Sequence, residues 1–76
     1  VALWEALRDC RRELAEAQGV PPYVIFHDST LVEMCSMVPK TLDAFSKLSG
    51  VGERKLMKYG EAFIAAIKNA EHEQLG

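Results

Sequence analysis

An all-α fold, a compact bundle of about five short helices, is what this sequence predicts. Two observations carry that expectation. Apolar residues recur at spacings of three and four along its segments, the helical period. No stretch alternates apolar and polar residues with the period of two that a half-buried strand requires, and the one short apolar run has no partner strand. The scale agrees. The chain has 76 residues, 49% hydrophobic and 26% charged, the balance of one small folded domain rather than a disordered tail. We expect a single domain over 1–76 with a core of about 3–70. Because the chain opens at Val1 without an initiator Met, the expectation is a piece of a longer protein.

The first helix is read from Leu3, Leu7, Cys10, Leu14 and Ala17, which fall on one face. Arg8, Arg11, Arg12, Glu13 and Glu16 fall mostly elsewhere, and Trp4 sits at the edge. Gly19 is placed to end this helix in a left-handed conformation. Pro21 and Pro22 then forbid a regular helix start inside the pair. The segment from Val20 to Phe26 is therefore a connector with one 3₁₀ turn, pinned to the core by Val24 and Phe26. Asp28 can cap a second helix whose inner face is Leu31, Met34, Cys35 and Val38; the alternative cap is Thr30, boxed with Glu33. Pro39 closes that helix. Thr41 caps a short third one, with Leu42, Phe45 and Leu48 inward. Gly50-Val51-Gly52 makes a hairpin. A fourth helix runs about Glu53–Lys58, and Gly60 breaks or kinks the chain. A fifth, about Glu61–Ala70, presents Phe63, Ala66, Ile67 and Ala70. Residues Glu71–Gly76 are polar and should fray.

Charge narrows the function. The net charge is −2, which is not that of a strongly basic nucleic-acid binder. Its distribution is uneven: residues 40–58 carry +3 and the remainder −5. No apolar run approaches the ~18 residues of a membrane span. Two cysteines on apolar faces read as buried reduced thiols, fitting a cytoplasmic protein. With no C-x-x-C pair and two distant histidines, no zinc site is expected. His27-Asp28-Ser29 holds the three residue types of a triad, but consecutive residues cannot face one another in triad geometry. No catalytic residue, metal or cofactor is expected of this chain.

Leu48-Ser49-Gly50-Val51-Gly52 has the form of helix-hairpin-helix elements that grip a nucleic-acid backbone. Gly50 and Gly52 permit close approach, and the first amides of the next helix point outward as anion donors. Arg54, Lys55 and Lys58 follow within two turns and can neutralise phosphates. The plain alternative is a tight turn followed by a solvated basic face. Tyr23, in the double-proline connector, is the aromatic group that a base-stacking platform needs. Taken alone it reads more readily as a surface residue packed on the core with its hydroxyl in water.

The ordered features resemble a known module. Val20-Pro21-Pro22-Tyr23-Val24-Ile25-Phe26, Asp28-Ser29-Thr30-Leu31, Pro39 and Thr41, Leu48-Ser49-Gly50-Val51-Gly52, and Lys58-Tyr59-Gly60-Glu61-Ala62-Phe63 together resemble the HRDC (helicase-and-RNase-D C-terminal) domain of bacterial RecQ-family helicases. The resemblance covers about Leu3 to Ala70. It implies a bundle of about five helices with a 3₁₀ turn at the prolines and a hairpin of SAM or helix-hairpin-helix type. It also implies an accessory domain of an ATP-dependent DNA helicase, in a bacterial cytoplasm at the nucleoid. Such a domain contacts single-stranded or structured DNA weakly and tunes substrate choice, while ATP and Mg belong to the parent's motor. The candidate contacts are Tyr23, Lys40, Gly50, Gly52, Arg54, Lys55 and Lys58. Tyr23 comes from the family segment, the glycines from the hairpin and the cations from the charge distribution. Family members that bind DNA usually present a basic face including the first helix. Here Glu5, Asp9, Glu13 and Glu16 share that helix with its arginines. The alternative role is therefore docking of acidic faces on the helicase core or another protein. The isolated domain is expected to be a monomer with no membrane partner.

Overall fold

The computed structural model describes residues 2–75, with side chains through His72. Five helices form in order: α1 (Ala2–Gln18), α2 (Pro22–Ile25), α3 (Asp28–Met37), α4 (Leu42–Ser46) and α5 (Glu53–Leu75). No strand occurs among the described residues. The predicted fold class holds, but two of the five helices are not those expected.

Along α1, Leu7 is fully buried, with Leu3, Trp4, Cys10 and Leu14 packed partly buried around the core. Ala15 is buried and Ala17 exposed, the reverse of what the apolar spacing suggested. At about 100° per residue, the buried sector extends from Leu7 toward Ala15, across the positions of Arg11 and Gln18. Both polar residues are used there. The Arg11 side chain is only 12% exposed, its Nη1 donates to the Phe26 carbonyl at 3.0 Å, and the same atom lies 2.7 Å from Asp28 Oδ1. The Tyr59 hydroxyl donates to Gln18 Oε1 at 2.9 Å. Gly19, at φ +67°, ends the helix as predicted. The N–H groups of Val20 and Gly19 return to the Ala15 and Glu16 carbonyls, the paired bonds of a Schellman stop.

The proline connector is one helical turn, Pro22–Ile25, and it opens on the i→i−3 bond that the expected 3₁₀ turn makes. Pro22 occupies its first position, and the Val24 N–H donates to the Pro21 carbonyl at 3.0 Å. Ile25 and Phe26 pin it to the core, whereas Val24 is 40% exposed. Phe26 and His27 are both extended, so their side chains leave on opposite sides. Phe26 goes into the core and His27 into solvent.

Neither predicted cap closes the start of α3. His27 takes the cap position without a side-chain bond, and Asp28 turns to Arg11. Thr30 and Glu33 serve a different element: the Thr30 hydroxyl donates to the Ser49 carbonyl at 3.1 Å, and Glu33 Oε1 accepts from the Ser49 N–H at 3.2 Å. Both backbone polar groups of Ser49 in the hairpin loop, which belong to successive peptides, are thus held by α3. The helix ends where Val38 adopts φ 47°. The following Pro39 disfavours the right-handed helical region for Val38. The predicted Thr41 cap is present, its Oγ1 accepting from the Ala44 N–H at 3.1 Å. Phe45 and Leu48 turn inward as predicted, but Leu42 remains 43% exposed.

The expected break at Gly60 does not occur, and the predicted fourth and fifth helices are one. A Cβ at Gly60 would lie 2.9 Å from Leu42 Cδ2 and 3.2 Å from Leu56 Cδ1. Glycine here lets α4 close onto α5 rather than ending the helix. Helix α5 continues through Leu75, over residues expected to fray, and Glu71 pairs with Lys40 at 2.9 Å. Gly76 lies outside the described residues.

In the hairpin, Gly50 has φ +80°, and an added Cβ would meet Thr30 Oγ1 at 2.8 Å. Gly50→Ala is expected to cost about 1–2 kcal/mol from the left-handed backbone alone. Loss of the Thr30–Ser49 bond adds to this. Urea unfolding should show a lower midpoint at unchanged slope; a wild-type midpoint would contradict the assignment.

Candidate nucleic-acid interface

The segment of residues 22–28 is where the candidate groups meet. Tyr23, 59% exposed, points outward from α2, and its ring runs nearly parallel to that of His27, with centroids 6.1 Å apart and planes 22° from parallel. From the other side of this segment, Lys55 of α5 places its ammonium 5.5 Å from the centroid of the Phe26 ring, a cation–π contact. Lys58 does the same over Tyr59 at 5.4 Å. Both lysines lay their stems over the rim of the aromatic core and keep their charge at the surface.

The α1 arginines join from a third side. Arg8, Asp9, Arg11, Arg12 and Pro22 line a hollow of about 150 Å³. Arg8 and Arg12 are four residues apart and so lie on one row of the helix. Their proximity to the connector was not read from the sequence, because the spacing shows only that they share a face of α1. Arg12 is shared with Asp9 at 3.2 Å, an exposed pair of little strength. Among the described residues Arg8, Arg54, Lys55 and Lys58 form no ion pair.

The remaining candidates divide. Arg54 and Lys58 share a face of the first turns of α5, flanking Met57, which is 81% exposed. Gly50 is fixed in its turn by Thr30 and φ. Gly52 has open space around it, and its carbonyl accepts from the Leu56 N–H at 2.9 Å, which opens α5. Glu53 stands in that first turn and is favoured there by the helix dipole. Lys40 is placed apart: its pairing with Glu71 puts it beside the last turns of α5. Arg54 and Glu71 are separated by about 25 Å of helix, at ~1.5 Å per residue.

The two cysteines are poorly placed for thiolate chemistry. Both cysteines are free and half-buried. Burial, and secondarily Glu13, pushes the Cys10 thiol up to about 11, and burial also raises that of Cys35; neither supplies a ready thiolate. Among the described residues no three His, Cys, Asp or Glu side chains are grouped to hold a metal ion, and no helix is long and apolar enough to cross a membrane. A separate groove of about 450 Å³ runs between α1 and α5. It is lined by Ala6, Cys10, Leu14, Ala62 and other small residues, with Asp9 and Glu13 at its edge.

Comparisons with known proteins bear on the family and the fold. The family model for the HRDC domain matches residues 1–67. The ATP-dependent DNA helicase RecQ of Bacillus subtilis is 47% identical over 66 residues, 87% of this chain and 11% of the relative. That of Haemophilus influenzae is 36% identical over 73 residues, 96% of this chain and 12% of the relative. The chain therefore spans about a tenth of the length of these relatives. Among solved structures, D. radiodurans RecQ HRDC domain 3 superposes with a TM-score of 0.85 at 37% identity, covering 88% of each chain.

Proposed function

The chain belongs to the HRDC domain family, and on that premise we propose that it is an accessory nucleic-acid-binding domain of a RecQ-type ATP-dependent DNA helicase. In this reading it contacts single-stranded or junction DNA weakly and tunes which substrate the motor engages. ATP with Mg, and unwinding, belong to other domains of the parent, which works in the bacterial cytoplasm at the nucleoid. The observation that carries the reading is the convergence on residues 22–28: an exposed aromatic ring, Lys55, and the Arg8–Arg12 row. Rings that stack a base and cations that neutralise flanking phosphates are what a sequence-tolerant single-strand contact requires.

Fluorescence anisotropy of a labelled single-stranded oligonucleotide, titrated with the 76-residue chain at several salt concentrations, tests it. With about three phosphates neutralised, log K should fall against log[salt] with a slope of about −2, at roughly −0.7 per phosphate. Saturable binding with that slope is the expected result. No binding at low salt would sink the reading.

The acid-edged groove between α1 and α5 favours a second reading, a docking module that packs on a basic surface of the helicase core. Association of the chain with a RecQ core lacking its own HRDC domain would support it, and no association at high protein concentration would remove it.

A further inference from the structure

Within the DNA-contact reading, on which this rests, we infer that His27 is a positioning residue for nucleic-acid binding: its imidazole stacks against Tyr23 and holds the phenol ring ready for a base of single-stranded DNA. Two features of the backbone put it there. Tyr23 stands on the outer side of the short α2, whose Ile25 is fully buried. His27 follows a fully anchored Phe26 in extended conformation and so projects to the same exposed side. The two rings meet across the exit of α2 in a near-parallel pair, within the range of centroid distances that aromatic pairs prefer.

An exposed tyrosine turns freely about two side-chain bonds, and a base that binds it must stop that motion. Stacking on His27 removes part of that freedom beforehand. The gain in affinity from holding one side chain in advance is roughly two- to tenfold. Neighbouring charge does not compete for the pair. Asp28, next in sequence, is held by Arg11 at 2.7 Å, and Pro22 on the other side of Tyr23 borders the arginine-lined hollow, where flanking phosphates find cations. The His27 ring therefore supplies geometry, and the arginines and lysines supply charge.

The test is a cycle of oligonucleotide titrations on the 76-residue chain: wild type, His27→Ala, His27→Phe, Tyr23→Ala and the double variant Tyr23→Ala/His27→Ala, with melting temperatures recorded for each. His27→Ala should weaken binding roughly two- to tenfold at an unchanged melting temperature. His27→Phe, which keeps a ring and loses the nitrogens, should bind like wild type. The double variant should bind no more weakly than Tyr23→Ala, because His27 acts through Tyr23. Wild-type affinity in His27→Ala beside a weakened Tyr23→Ala overturns the inference and leaves the DNA reading standing. So do failure of His27→Phe to restore binding, and losses that add in the double variant. Absence of binding by the wild-type chain at low salt overturns both.

Discussion

Phe26→Ala is expected to leave the chain largely unfolded at room temperature. The ring is 1% exposed and meets three others, Phe63 at 5.2 Å, Tyr59 at 5.9 Å and Phe45 at 6.0 Å between centroids. Those partners come from α4 and α5, while the Phe26 carbonyl is bound by Arg11 of α1. One residue between α2 and α3 thus joins the remaining layers of the bundle. Removing a buried phenylalanine ring costs about 3–5 kcal/mol. A chain of this length holds only about 4–11 kcal/mol of total stability, at roughly 0.05–0.15 kcal/mol per residue. A chain this short buries little of its surface and lies toward the low end of that range, where the loss is comparable to the whole. Circular dichroism should show reduced helicity and no cooperative melt. The contrasting variant is Lys55→Ala, which removes the cation over the same ring, worth about 0.5–1 kcal/mol when exposed, and should melt cooperatively a few degrees lower. A cooperative wild-type-like melt for Phe26→Ala would show that the ring is not the hub of the core.

Tyr23→Ala should leave stability nearly unchanged and weaken single-stranded DNA binding by about 1–3 kcal/mol, roughly 5- to 150-fold in Kd. The ring is 59% exposed and contributes little to the core, so the two effects separate cleanly. Lys40→Ala supplies the contrast. Its ammonium is engaged by Glu71 beside the last turns of α5, away from the 22–28 segment, and its loss should alter affinity far less. Measured in parallel by anisotropy, equal losses from both variants would mean that the DNA surface is spread over the domain rather than gathered at the connector. No loss from Tyr23→Ala would remove base stacking from the site.

These expectations separate what local pattern could show from what it could not. Gly19 and Thr41 act through neighbours one turn away, so the Schellman stop and the cap were legible in the sequence. The hairpin glycines were legible too, although only Gly50 needs its positive φ. Thr30 and Glu33 had every local mark of a capping box, yet their partner is Ser49, sixteen or more positions away. A polar side chain satisfied by a distant loop looks the same in sequence as one satisfied by its own helix. Arg11 and Gln18 were hidden for a related reason. Apolar counting skips polar residues whose far ends find partners at the core's edge. For the candidate site, the aromatic and the cations could be named individually. Their meeting around residues 22–28 depends on how α1 and α5 pack, which no single segment encodes.

The uninterrupted course of α5 through Gly60 ties a local cost to a tertiary fit. A glycine costs a helix about 1 kcal/mol relative to alanine. The space a Cβ would fill is taken by Leu42 of α4 and by Leu56 of α5 itself. A glycine that reads as a stop signal is thus the place where the fit of α4 against an unbroken α5 depends on the absence of a side chain.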